Sequence, residues 1–278
     1  MATHKTDLQA QNNDLQTYLN HMWHDYCKLN TEAFSIYNML TQAGENIQND
    51  HIALRTFNHP KLGIKSLAQH FTKYGYFEDG EYFITEKKLY AKHYENINPE
   101  MPKIFISELQ LEKVSPYIQE TISTCIEQIL ESEIQNEKFV FGGKHWVTNH
   151  QTYEKLAQES EYASWVYAYG FRPNHFTVSI NHLKNFKDIT QLNTFIKDRG
   201  FRLNISGGEI KGTPEQLLEQ SSTMAGEMMV QFGDGVYSIP ACYYEFAKRY
   251  PMANGQLYQG FIAQSADKIF ESTNKIQK

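Results

Sequence analysis

The feature that most constrains this chain is a strand–helix pattern that occurs twice in the same order. HIALRTF opens the first copy at His51, and a helical stretch, LGIKSLAQHFTKYGY, carries it to Gly75. HFTVSI opens the second at His175, and NFKDITQLNTFIKDRGF carries it to Gly200. The His-to-Gly separations are 24 and 25 residues. Each helix contains Phe-x-Lys (Phe71 and Lys73; Phe195 and Lys197), and each copy closes on a strand with a glutamate among apolar neighbours, Glu108 in one and Glu245 in the other. A duplicated β-α-β-β-β unit predicts an α+β fold whose two halves share a curved sheet around a cavity.

The rest of the chain is read around these units. Leu15, Tyr18, Leu19, Met22, Trp23, Tyr26 and Cys27 recur at helical spacing, and a second helix is expected from about Thr31 to Gly44. EDGE reads as a turn ahead of the strands in EYFITEKKLYAKHYE, and KIFISEL as a fourth strand. Ser115 and Pro116 read as the N-cap and first position of a helix, and TYEKLAQESEYASWVYAYG as further helix. TPEQ reads as a capped short helix at Thr213, with MMVQF and CYYEFA as closing strands. The division expected is one domain over 1–278: N-terminal helices 1–48, first module 49–112, connecting helices 113–170, and second module with C-terminal segment 171–278.

Composition narrows the function. Twenty-six Lys and Arg against 32 Asp and Glu give a net charge of −6, which argues against nucleic-acid binding. No apolar run is long enough for a membrane span, and MATHKTDLQAQNNDLQ lacks an apolar signal core. Cys27, Cys125 and Cys242 are scattered without a C-x-x-C pair, so a reducing cytoplasm is the expected location. NISGGEIKGTPEQ lacks the ending of a P-loop, and no G-x-S-x-G elbow is present. Glu209 and Lys211 are placed near the cavity mouth.

Eleven histidines are present, and most read as solvated or packed. His51 and His175 stand apart because each opens a strand expected to line the cavity. Alternation puts His51, Ala53 and Arg55 on one face, His175, Thr177 and Ser179 on one face, and Tyr243, Glu245 and Ala247 on one face. Two histidines and a carboxylate from three strands match the facial triad of non-haem Fe(II); Zn, Mn or Co would accept the same ligands. Arg55 admits two readings, an anchor for a substrate carboxylate or a salt bridge to an internal glutamate such as Glu108.

HIALRTFN, GYFEDGEYFITEKKLYAKHY, PKIFISEL, GFRPNHFTVSIN, LNISGGEIKGTPEQLLEQSSTMA, CYYEFAKRY and GFIAQSADKIFEST together resemble the DUF1338 family, which has the vicinal oxygen chelate fold and includes 2-oxoadipate dioxygenase/decarboxylases. The resemblance implies His51, His175 and Glu245 as iron ligands that also meet the substrate. It implies Arg55 as the substrate-binding arginine, and Gln264 and Ser265 as cavity-lining residues. The implied partners are a small 2-oxo dicarboxylic acid and O2, and the implied reaction is decarboxylation with hydroxylation. Rival expectations are an oxygen-independent isomerase or lyase of the same fold, in which Glu108 could be a fourth ligand, and a non-catalytic binder of small acids.

Overall fold

The computed structural model describes residues 2–273, with the backbone alone for 2–11. Met1 and residues 274–278, the outer ends of the expected segments, lie outside the described residues. The chain begins with α1 (Ala2–Leu29) and α2 (Thr31–Gln42). Asn30 separates them because its side chain accepts the Ala33 N–H and starts a new helix. Helix α1 extends well ahead of its apolar stripe, which opens at Leu15; residues 2–13 are largely polar and leave no such stripe in the sequence.

The first module follows as β1 (Asn49–Phe57), α3 (Ile64–Thr72), β2 (Tyr76–Ile84), β3 (Leu89–Asn96) and β4 (Lys103–Leu109). The connecting helices are α4 (Pro116–Glu127), α5 (Glu131–Ile134), α6 (His150–Ala157) and α7 (Glu161–Tyr169). Ser115 caps α4 by accepting the Ile118 N–H, as its sequence signature predicts. The stretch 152–170 is two helices because Ser160 caps α7.

The second module comprises β5 (Pro173–Ser179), α8 (Ile189–Lys197), β6 (Lys211–Thr213), β7 (Leu218–Ser222), β8 (Glu227–Phe232), β9 (Gly235–Pro240) and β10 (Glu245–Arg249), before α9 (Ala263–Phe270). Helices α3 and α8 each have nine residues, and both are followed by a glycine in the left-handed region, Gly75 (φ 84°) and Gly200 (φ 87°). TPEQ forms one short 3-10 turn, Pro214–Gln216, rather than an α-helix.

The eight-stranded sheet has the order β2-β3-β4-β1-β5-β10-β7-β6. In each half the last strand lies parallel to the first, β4 on β1 and β10 on β5, and the halves join through antiparallel β1 and β5. This is the expected duplication with two corrections. MMVQF is in β8, which pairs with β9 as a separate two-stranded hairpin inserted before β10. EDGE is not the turn before β2 either. The β2–β3 ladder steps from Glu78–Tyr94 to Gly80–His93, so Asp79 is a bulge within the strand, and the turn comes at Thr85–Lys87.

The apolar stripe of α1 (Leu15, Tyr18, Leu19, Met22 and Tyr26) is buried. At ~1.5–3 kcal/mol for each large side chain removed from water, this stripe is enough to fix the helix on the sheet. Trp23 and Tyr26 meet Phe176 of β5 at ring separations of 5.1 and 5.0 Å. Phe176 faces opposite to His175, so α1 supports the outer face of the sheet. The sheet curls on its inner face, because Phe261 touches rings from β1 (His51), β2 (Tyr82), β3 (His93) and β4 (Phe105). Helix α9 packs across the inner side against β2, β6 and β7.

Candidate metal centre

His51, His175 and Glu245 converge from the centre of the sheet. Each is buried, and they offer ligand atoms that all lie within 4.8 Å of one another. Register explains the convergence. Ala53 of β1 sits opposite His175, and Thr177 of β5 is paired both with His51 and with Glu245. His51 Nε2 is 3.5 Å from Glu245 Oε1, and His175 Nε2 is 3.2 Å from Glu245 Oε2.

The outer nitrogens of both rings are held. Asp50 Oδ1 lies 2.8 Å from His51 Nδ1, and Asn174 Oδ1 lies 3.1 Å from His175 Nδ1. Both oxygens are acceptors, so they favour a proton on Nδ1 and leave the Nε2 lone pairs facing inward. The Thr177 hydroxyl is 3.1 Å from His51 Nε2. Gln220 Nε2 donates to Glu245 Oε1 at 2.6 Å. Glu245 Oε2 is buried and has no hydrogen-bond partner.

Burial, then the neighbouring His51 and Arg55, push the His175 imidazole well below its ordinary range, so it is neutral. Burial raises the Glu245 carboxyl, against the opposing pull of His51 and Gln220. Two inward lone pairs and a buried carboxylate oxygen without a hydrogen-bond partner fit a divalent transition metal with open coordination positions.

The cavity at these residues is small, about 20 Å³, room for roughly one water. Phe105, Phe261, Ala266, Ile269 and Phe270 enclose it on the apolar side, and Gln220 and Tyr243 on the polar side. Tyr243 lies 4.6 Å from the His175 ring, nearly parallel to it. Larger depressions, of about 330 Å³ beside α1 and about 790 Å³ beside α3, lack the ligand set.

The remaining expected site residues are spread out. Arg55 is on the same strand face as His51 but outside the cavity lining, among Tyr162, Trp165 and Phe270 with ring centroids 4.9–5.1 Å from its guanidinium. Its salt bridge is to Glu161 of α7, at 2.9 Å, and not to Glu108. Gln264 is exposed and Ser265 is buried in α9, and neither lines the cavity, whereas their neighbour Ala266 does. Lys211 is buried, its ammonium donates to the Asn204 carbonyl, and burial pushes it down to about 8 despite Glu245, Glu209 and Glu271. Glu209 binds Lys197 and the buried Asn193 of α8.

Glu108 is not the counterpart of Glu245. Glu245 pairs with Thr177, two residues after His175; the residue paired with Ala53, two after His51, is Phe105. Glu108 is three positions further on, which puts it on the opposite face of β4. There its carboxylate accepts the Ile64 N–H at the start of α3.

Sequence reasoning missed Asp50, Gln220 and Arg249. Asp50 has a signal of its own, an acid directly before a candidate ligand. Gln220 and Arg249 have none, because only the fold brings them to Glu245 and Asp50.

Residues 9–256 match the family model of 2-oxoadipate dioxygenase/decarboxylase. The chain belongs to this family. A 2-oxoadipate dioxygenase/decarboxylase of Oryza sativa subsp. japonica, described as chloroplastic/amyloplastic, is 34% identical over 298 residues, covering 94% of this chain and 79% of the relative. Members of the 2-oxoadipate dioxygenase/decarboxylase family are enzymes, and this chain is one of them. The crystal structure of hydroxyglutarate synthase from Oryza sativa, in complex with 2-oxoadipate, superposes with a TM-score of 0.88 at 32% identity, over 96% of this chain and 94% of that one.

A crystal structure from Shewanella frigidimarina, which carries a provisional hydrolase description, is 51% identical with a TM-score of 0.86, over 89% of this chain and 97% of that one. A glyoxalase-superfamily protein of Ralstonia eutropha shares the fold, with a TM-score of 0.67 at 18% identity over 86% and 83% of the two chains. The architecture is therefore the vicinal oxygen chelate fold that the family resemblance implies, built on the expected duplication. No helix among the described residues is long and apolar enough to cross a membrane.

Proposed function

We propose that this chain is a non-haem Fe(II) oxygenase that converts 2-oxoadipate and O2 into 2-hydroxyglutarate and CO2. The carbon–carbon bond to the carboxylate beside the ketone breaks, that carboxylate leaves as CO2, and both atoms of O2 enter the products. The observation that carries the reading is the orphaned, buried Oε2 of Glu245 facing the His175 Nε2, with both imidazoles held from behind. Family membership and the rice enzyme bound to 2-oxoadipate support the substrate.

Fe(II) held by His51, His175 and Glu245 would supply a redox-active Lewis acid with positions left for a chelating 2-oxo acid and O2. The protein's own residues do the rest. Asp50 and Asn174 keep the imidazoles oriented, and Gln220 fixes one carboxylate oxygen of Glu245. Phe105, Phe261, Ile269 and Phe270 keep bulk water from the reacting centre. Arg55 is the anchor for the substrate's remote carboxylate. Its Nε is buried without a partner, and Glu161 is the internal carboxylate that substrate must displace or join. A six-carbon dicarboxylate exceeds the present cavity, so α9, which supplies Ala266, Ile269 and Phe270, gives way as substrate enters. Three unpaired cysteines suit a reducing compartment such as the cytoplasm.

The deciding experiment supplies Fe(II)-loaded protein with 2-oxoadipate and follows O2, CO2 and 2-hydroxyglutarate in one vessel. Equimolar O2 loss and product gain are expected. Turnover that continues without O2 would replace this reading with an isomerase or lyase. Ligand binding without turnover, unchanged after metal removal, would replace it with a small-acid binding protein.

A further inference from the structure

The inner face of the first module carries a second group of metal-capable side chains. Asp79, His93 and Glu95 bring ligand atoms within 4.8 Å of one another. His93 and Glu95 share one face of β3 by alternation, and the register runs from His93 through Phe105 and Ala53 to His175. Asp79 joins them because it is the extra residue of the β2 bulge, a device that re-aims a side chain.

The cluster differs from ordinary surface acids. The His93 side chain is only 2% exposed, yet its Nε2 has no hydrogen-bond partner. Asp79 Oδ2 lies 3.6 Å and Glu95 Oε1 3.7 Å from that nitrogen, too far for hydrogen bonds. Donors sharing one ion at about 2.0–2.2 Å each sit roughly 3–3.5 Å apart, so a small contraction would close the set. Glu95 Oε1 is itself buried and unpartnered.

The other ring nitrogen is already held. His93 Nδ1 lies 2.9 Å from the Tyr82 hydroxyl, whose oxygen also accepts the Phe261 N–H at 3.2 Å. An imidazole that donates Nδ1–H to Tyr82 presents its Nε2 lone pair to the two carboxylates. Gly80 makes the space, since a Cβ there would stand 2.8 Å from His93 ring atoms. The cations nearby do not complete the cluster. Arg249 is committed to Asp50 and to the carbonyls of Tyr258 and Gly260, and the half-buried Lys103 makes no salt bridge to Asp79 or Glu95 among the described residues.

We propose that Asp79, His93 and Glu95 form a second divalent-cation site, whose one imidazole and two carboxylates suit Zn2+ or Mn2+. It is separate from His51, His175 and Glu245 and does not rest on the reaction proposed for them. The Phe261 ring divides the two, 4.8 Å from His51 and 5.4 Å from His93. An ion there would tie the β2 bulge to β3 and steady the Tyr82–Phe261 contact that walls the first site.

Equilibrium dialysis of metal-free full-length protein against Zn2+ tests this. The unaltered chain should bind two equivalents. His51→Ala with His175→Ala should keep one, and Asp79→Asn with Glu95→Gln, on the more exposed side of the cluster, should also keep one. In the His51/His175 variant Zn2+ should still raise Tm, and adding the Asp79 and Glu95 changes should abolish that rise while circular dichroism stays native. No binding by the His51/His175 variant, or an equivalent in that variant that survives the Asp79 and Glu95 changes, overturns the proposal.

Discussion

Asp50 and Arg249 form a buried two-point ion pair, with Arg249 Nε 2.6 Å from Asp50 Oδ2 and Nη2 2.9 Å from Oδ1. The same Oδ1 holds His51 Nδ1 at 2.8 Å. One carboxylate thus joins the first strand of the first module to the last strand of the second, and orients a candidate ligand. Burial alone would raise the Asp50 carboxyl, but Arg249 and His51 hold it well below the usual range.

Removing one partner of this pair leaves a buried charge alone. Arg249→Ala should destabilise the protein by about 3–5 kcal/mol, measured by chemical denaturation. Asp50→Asn should weaken metal binding about 10–100-fold, because the carboxylate that holds the His51 Nδ1–H and raises the basicity of Nε2 becomes a weaker, neutral acceptor. Unchanged metal affinity in Asp50→Asn would remove Asp50 from the site.

Glu245→Gln separates a ligand from a structural residue. Its carboxyl is raised by burial, so the neutral amide should leave the metal-free Tm unchanged or higher. The stabilisation by metal, about 4 kcal/mol at a thousandfold excess over Kd, should be largely lost. Thermal melts with and without Fe(II) under anaerobic conditions read both effects. A variant equally stabilised by metal would show that the carboxylate is not a ligand.

Arg55 and Glu161 should affect substrate in opposite directions. Arg55→Lys should raise KM for a 2-oxo dicarboxylate far more than for a monocarboxylate of equal length, since the two-point grip on the remote carboxylate is lost. Glu161→Gln should lower KM for the dicarboxylate, because the competing internal charge is gone. Steady-state kinetics with the two substrate classes give the comparison, and parallel losses in both would leave Arg55 a packing residue.

Lys211 gives a pH dependence of definite sign. Its ammonium is pushed down to about 8 in the folded protein, from 10.5, so between these values the unfolded chain binds more protons. Stability therefore rises with pH across that window relative to Lys211→Met, and the difference is flat below it. Urea midpoints of the two proteins at pH 7 and pH 9.5 would show it; an unaltered protein that loses stability relative to Lys211→Met on going to pH 9.5 would contradict the assignment.

The N-terminal helix, silent in sequence, supports the site from behind. The Tyr26 hydroxyl donates to the carbonyl of Tyr243, two residues before Glu245. Tyr26→Phe leaves that buried carbonyl short of a donor and should cost about 1–3 kcal/mol. Metal affinity should fall with it, a readout that isothermal titration separates from the loss of stability.

The amino-acid pattern by itself determined the duplicated modules, the helix ends at Gly75 and Gly200, the Ser115 cap, and the three strands that bear His51, His175 and Glu245. These depend on local backbone preference and side-chain period, which act over a few residues and leave a trace in the chain. Only the tertiary structure decided which residues meet. Phe105 rather than Glu108 became the counterpart of Glu245, because register and not order in the chain sets the face a side chain occupies. Arg55 found Glu161, and Asp50 found Arg249 199 positions away, because partners for buried charge are chosen by the packing of distant elements. The bulge at Asp79 follows from no local propensity; Gly233-Asp234 does signal the β8–β9 hairpin locally, but its separation from the main sheet was decided by which strands pack together, an interaction between elements distant in the chain.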